Sequence, residues 1–351
     1  MQRFTCLCLA LAALLVACGS VPPASETRVG PDAALTVAAP GDAGGAERPG
    51  RVLAQSDRFV IYEAGVRDTL RSVAARFLGS EERHWVIGDF NGVTGVQPGQ
   101  TLVVPLKTLN PTGVYADHYQ TVPILCYHRF GTGGGKMVVS PVAFAAQLDW
   151  LARNQYRVIR LSQLVAYLEG REPLPKRSVV ITIDDGYESV YRYALPLLRQ
   201  HDFAATLFIY TDFVGARDAM SWAQLDELAR SGLIDIQSHS KSHRNLIERV
   251  AQESDSQYRQ GLESETRGAR QLLEQRLPVQ VRHFAFPYGD ANEQLLEILK
   301  RNDYQLAVTV NPGGNAFFAQ PLMLRRTMIF GDHDLEAFKA RLQVSRGIDS
   351  P

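Results

Sequence analysis

From about residue 121 to 345, hydrophobic positions gather in short strand-like runs. The stretches between them are apolar only at every third or fourth position. The runs cover 121–126, 156–160, 179–183, 204–210, 233–237, 283–286, 305–310 and 324–329. Runs this short, rich in β-branched residues, fit strands covered on both faces. The stretches between them fit helices. Ser140 and Pro141 open one, a cap followed by proline in the first turn, with Phe144, Leu148 and Leu151 at helical spacing. Ser221 opens another, with Leu225 and Leu228 inward and Gly232 as its stop. A polar stretch over 245–277 predicts one long helix on the outside. Regular alternation of strand and helix implies an α/β protein with a parallel sheet, and the number of repeats favours a (β/α) barrel over an open sheet. In such barrels chemistry collects at the carboxyl ends of the strands.

Residues 58–107 follow a different rhythm and predict a small α+β unit. A strand at 59–62 leads to a helix at 68–77, with Leu70, Val73, Ala74 and Phe77 on one face and Asp68 placed to cap it. A second short helix at 82–89 leads to Asn91, and Pro98-Gly99 turns the chain into a closing strand. Residues 108–120 read as a linker. The segment 18–57 is dense in Pro, Ala, Gly and Ser and reads as a flexible tether. Residues 1–17 place Arg3 before an apolar stretch that is too short to span a membrane, which is the pattern of an export signal.

Composition narrows the partners. With 37 basic and 37 acidic residues in 351, no basic field exists to attract nucleic acid. Of four cysteines, Cys6 and Cys8 fall in the signal and Cys18 at its end. Cys126 alone remains in the folded part, so no intramolecular disulfide forms there. It is expected to be a small buried core residue.

Two of the apolar runs end in side chains that a core strand does not need. The run at 179–183 ends in Asp184, Asp185 and Gly186, and the run at 233–237 leads to His239 and His243. One carboxylate and two neutral imidazoles suffice to hold a divalent metal with a position open for water. The other carboxylate is then free to act as a base. Successive side chains on an extended backbone point opposite ways, which suits such a division of labour. Taken alone, two histidines four residues apart also fit a surface loop. Gly133–Gly135 is no phosphate cradle, because neither Lys-Ser/Thr nor a helix follows it.

Read side by side, Thr182-Ile-Asp-Asp-Gly-Tyr187, His239-Ser-Lys-Ser-His243 and Phe286-Pro-Tyr-Gly-Asp290 resemble the polysaccharide deacetylases of carbohydrate esterase family 4. The resemblance runs from about 122 to 342. It implies a distorted (β/α) barrel that removes N-acetyl groups from N-acetylglucosamine polymers with a divalent metal, usually zinc. It assigns Asp185, His239 and His243 to the metal, Asp184 to the general base, and the backbone N–H of Tyr288 to the oxyanion. Two positions depart from the family. The arginine that tunes the base is replaced by Ala285, and the carboxyl-terminal Leu-x-His that supplies the acid reads Leu324-Arg325-Arg326. A leaving amine still needs a proton. His128 takes this role by the placement of Tyr127-His128, which resembles the poly-β-1,6-N-acetylglucosamine deacetylases; His333 is the second candidate.

Residues 58–107 resemble a LysM module, which implies binding to N-acetylglucosamine-containing glycans such as peptidoglycan. Val66-Arg67 stands where that family places a Gly-Asp turn, so a degenerate module serving as spacer is the alternative. Leu15-Val16-Ala17-Cys18 resembles the bacterial lipoprotein cleavage box, which implies a lipid anchor on Cys18. Gly19 resembles the pattern sent to the outer membrane, facing the periplasm. An ordinary secretory signal that contains a cysteine is the competing interpretation. The expected protein is therefore a lipid-anchored, metal-dependent deacetylase of envelope polysaccharide, either peptidoglycan or poly-N-acetylglucosamine. Its rivals are a catalytically weak glycan-binding lipoprotein and an O-acetyl polysaccharide esterase.

Overall fold

The computed structural model describes residues 49–348. The export signal, Cys18 and most of the expected tether lie outside the described residues. Six strands form the heart of a parallel sheet, in the order Leu306–Val308, His283–Ala285, Ile234–Ser238, Ala205–Ile209, Ser178–Ile183 and Val122–Tyr127. The short strand Thr327–Met328 runs parallel beside Val122–Tyr127. A few residues earlier, Leu324 donates its N–H to the Ala307 carbonyl at 2.9 Å and accepts from the Thr309 N–H at 2.8 Å. One segment, 324–329, therefore bridges the last strand to the first across the open side of a half-barrel.

The central strands read as mostly apolar runs because both faces are covered. Val179, Ile181 and Ile183 pack toward the helices with Leu125, Tyr127, Leu207 and Ile209. Ile124, Val180, Phe208, Leu306 and Val308 fill the interior. The two-residue period then puts Cys126, Thr182 and Asp184 on the interior face, at its carboxyl end.

The helices opened by Ser140 and Ser221 form as expected, over Pro141–Arg153 and Trp222–Arg230. Each serine hydroxyl accepts from a backbone N–H in the first turn, and Phe144, Leu148, Leu151, Leu225 and Leu228 are buried. The long helix expected over 245–277 is shorter and broken. It starts at Asp255 under a Ser254 cap, widens into a π turn at Ser264–Gly268, and resumes at Ala269–Arg276. Residues 245–253 make turns instead. Asn245 folds back on the Ile247 N–H at 3.2 Å, the kind of local bond by which Asn and Ser compete with helix.

The amino-terminal unit is a three-stranded antiparallel sheet, Arg51–Gln55, Phe59–Glu63 and Thr101–Pro105 in that order, with helices Leu70–Leu78 and His84–Asn91. Two expectations are corrected. The tether ends before Arg51, because 51–55 pairs with 59–63 and an Arg51–Glu63 ion pair joins the strands. Asp68 does not cap the helix. Thr69 does, while the Asp68 carboxylate accepts from the Tyr62 hydroxyl and the Gly65 N–H, both at 2.7 Å. The expected linker also gains structure, since His118–Gln120 pairs with Ser345–Gly347. Asp89 joins the two units by accepting from the Lys176 N–H at 3.0 Å.

Candidate metal centre and active site

Strand register brings the chemistry together. Tyr127 lies opposite Ile183, and Ile209 opposite Ser238, so these neighbouring strands end nearly level. His128, Asp184 and His239 each follow such an end directly. Asp185 then turns back with φ of 76°, and Gly186 continues at 96°, where a Cβ would sit 2.7 Å from the Ile209 side chain. Only glycine fits that position.

Asp185 Oδ1 lies 3.5 Å from His243 Nε2 and 3.7 Å from His239 Nε2. His239 donates its Nδ1–H to the Ala285 carbonyl at 2.8 Å, which leaves the Nε2 lone pair facing the carboxylate. One ligand atom each from Asp185, His239 and His243 lies within 4.8 Å of the others. Atoms with lone pairs only, gathered at this spacing, repel one another unless a cation or proton joins them. Ligands about 2.0–2.2 Å from a tetrahedral ion stand roughly 3.3–3.6 Å apart, close to the separations seen here. The donor set fits a zinc-type divalent ion.

Electrostatics agrees. Burial, reinforced by Asp184, pushes the Asp185 carboxyl up to about 7. Burial pulls His239 down to about 3, so its imidazole is neutral at ordinary pH. His243 is lowered as well, again by burial first.

Asp184 has different surroundings. Burial pushes its carboxyl upward, but the Arg326 guanidinium outweighs this and, with His239, holds it well below the usual carboxylate range. Arg326 is fully buried and grips Asp184 through two parallel bonds of 2.7 Å. Its remaining donors reach the Thr309 carbonyl at 2.9 Å and Thr182 Oγ1 at 3.2 Å. Cys126 Sγ sits 3.6 Å from Asp184 Oδ2, so the thiol is buried as expected but also faces the carboxylate. Burial raises that thiol's pKa, which keeps it protonated as a weak donor.

His128 completes the cluster. One ligand atom each from Cys126, His128 and Asp184 falls within 4.8 Å of the others. Its Nδ1 is buried with no hydrogen-bond partner, and burial lowers its pKa against the pull of Asp184. His333, the second candidate, is engaged elsewhere: its Nδ1 accepts from the Phe330 N–H at 3.1 Å and Arg341 lies 2.9 Å from Nε2. Tyr288 occupies a left-handed turn with φ of 61°, its ring edge-on to His243 with centroids 5.0 Å apart. Gly289 after it has φ of 83°, and a Cβ there would lie 2.4 Å from Val310.

The sequence reading missed the partner of Asp184. Ala285 stands at the family's arginine position, and Arg326 supplies a cation to Asp184 from the segment that bridges the half-barrel. The available signal was the pair Arg325-Arg326 inside the strand-like run 324–329, where a charge turned inward is out of place unless it is paired.

Residues 171–307 match the family described as polysaccharide deacetylase. The matched segment is the one that carries Asp184, Asp185, His239 and His243. The Bacillus subtilis protein YxkH, a relative with a polysaccharide deacetylase name, is 29% identical over 192 residues, 55% of this chain and 65% of its own. The poly-β-1,6-N-acetyl-D-glucosamine N-deacetylase of Escherichia coli is 25% identical over 241 residues, 59% of this chain and 36% of its own. The chain thus spans less than two thirds of either relative. Among solved structures, IcaB from Ammonifex degensii is similar with a TM-score of 0.57 and 28% identity, covering 64% of this chain and 98% of that one.

Proposed function

We propose that the protein hydrolyses N-acetyl groups from an N-acetylglucosamine-containing envelope polysaccharide, yielding acetate and a free amine. The observation that carries this reading is the convergence of Asp185, His239 and His243 on one point, with Asp184 and His128 beside it. Asp185, His239 and His243 would hold the ion. When bound, zinc would acidify a water and polarise the acetamido carbonyl. Asp184 takes the proton of the attacking water, and the Arg326 pair keeps that carboxylate ionised and aimed. The Tyr288 N–H supports the tetrahedral oxyanion. His128 gives a proton to the leaving nitrogen, so the C–N bond breaks to a neutral amine.

The relatives named as poly-β-1,6-N-acetylglucosamine deacetylases favour that polymer. The LysM resemblance of residues 58–107 favours peptidoglycan. A module that grips glycan would raise substrate concentration at the barrel, and a lipid on Cys18 would hold both at the outer membrane. Acetate release from the β-1,6-linked oligomer, from peptidoglycan and from acetylated xylan, each with and without chelator, separates the substrates. Asp184→Asn and His128→Ala are each expected to lower turnover by about 10²–10⁴-fold without loss of zinc. Full zinc occupancy with no acetate from any of the three would establish a binder instead of an enzyme.

A further inference from the structure

The loop that carries both imidazoles is strained. Ser240 and His243 have φ of 74° and 62°, conformations that residues other than glycine keep only when their surroundings enforce them. One side of the loop is held by its neighbour, since the Asp212 N–H donates to the Lys241 carbonyl at 2.9 Å. The other side is held by a single carboxylate. Glu265 is buried, and its Oε2 accepts from the backbone N–H groups of Lys241 and Ser242, both at 2.9 Å. Its Oε1 accepts from the Ser242 hydroxyl at 2.6 Å, with the Arg244 guanidinium 3.5 Å away.

A buried carboxylate is costly unless its bonds are satisfied, and the hydrogen bonds seen for Glu265 all go to this loop. Its position is also unusual. Glu265 sits in the π turn at Ser264–Gly268, an extra-residue widening that re-aims side chains and recurs at functional sites.

We propose that Glu265 is a positioning residue of the metal centre, fixing the 240–243 loop so that the His239 and His243 nitrogens meet Asp185. The inference rests on the metal-centre reading above. It concerns affinity for the ion and not the chemistry that follows.

The test is zinc affinity of the full chain, measured by competition with a chromophoric chelator well below the melting temperature. Glu265→Ala is expected to weaken zinc binding about 10- to 100-fold, the range typical of residues that orient ligands. Glu265→Gln keeps one carbonyl oxygen for the two N–H groups and is expected to stay within about threefold of the parent. Thr266→Val is the control for general softening, because Thr266 is buried in the same π turn but its hydroxyl donates to the Leu262 carbonyl and not to the 240–243 loop. It is expected to lower the melting temperature and leave zinc affinity unchanged.

If Glu265→Ala does not fold, Glu265→Asp replaces it, with an expected loss of about tenfold because the carboxylate is withdrawn by one methylene. Unchanged affinity in the alanine or aspartate variant overturns the proposal, as does an equal loss in Thr266→Val. A parent protein that takes up no zinc overturns both this inference and the metal-centre reading. Normal zinc uptake without acetate release counts only against the proposed activity.

Discussion

Asp184 and Asp185 are chemically identical neighbours at one strand end, yet they occupy opposite surroundings. Behind Asp184 lies the interior of the half-barrel, where Arg326 and the Cys126 thiol supply donors to its oxygens. In front of Asp185 lie two imidazole nitrogens that offer only lone pairs. The first pocket keeps a carboxylate charged without help. The second leaves its carboxyl protonated up to about pH 7 unless a cation arrives. Environment, not residue type, is what separates the base proposed at Asp184 from the ligand proposed at Asp185.

The contrast is broken most severely from the Arg326 side. Arg326→Met strands a charge that is 2% exposed, and losing one partner of a buried pair costs about 3–5 kcal/mol. Urea unfolding at pH 7 should register that loss. The double variant with Asp184→Asn should recover most of it, because the orphaned charge is gone. A double variant as unstable as the single one would mean that Arg326 matters for packing and not for its carboxylate.

Asp185→Asn should do the reverse. The folded-state pKa of Asp185 is raised, so the protonated carboxyl favours the fold below the unfolded value near 4. That benefit is lost as pH rises through about 7. In metal-free protein at pH 8 the substitution removes an unfavourable buried charge and should stabilise by on the order of 1–3 kcal/mol. At pH 4 the effect should nearly vanish. Thermal melts of chelator-treated protein at both pH values decide this, and destabilisation at pH 8 would refute the assignment.

The smallest effect is a proton count. Zinc must displace the Asp185 proton at pH 6, whereas the carboxyl is already mostly ionised at pH 8. Uptake should therefore release about one more proton at the lower pH, and affinity should fall as pH drops below 7. His239 adds nothing to this difference, being neutral well above its value of about 3. Calorimetry in buffers of different ionisation enthalpy reads the count directly.

Much of this was legible in the chain. Short, mostly apolar runs located the sheet, Ser140 and Ser221 located two helix starts, and Asp184, Asp185, His239 and His243 announced themselves as polar residues just past strand ends. Other features were not legible, for identifiable reasons. The strand at Arg51–Gln55 is made by pairing with Phe59–Glu63, and a local window of mixed residues carries no mark of its partner. The helix expected from 245 lost its first turns to Asn245 and Ser254, whose side chains offer the backbone other bonds. Asp68 was a reasonable cap by type, but the adjacent Thr69 reached the N–H groups first.

The sequence by itself determined the alternation of strand and helix and the identity of the chemical groups, because periodicity and residue type are local properties. Only the tertiary structure decided which groups meet. Arg326 stands 142 positions from Asp184 along the chain. It reaches that carboxylate because the 324–329 segment closes the half-barrel beside Val122–Tyr127. Glu265 reaches the His239–His243 loop because a helix widens by one residue as it passes. Contacts of that kind depend on register and on space, and a linear pattern encodes neither.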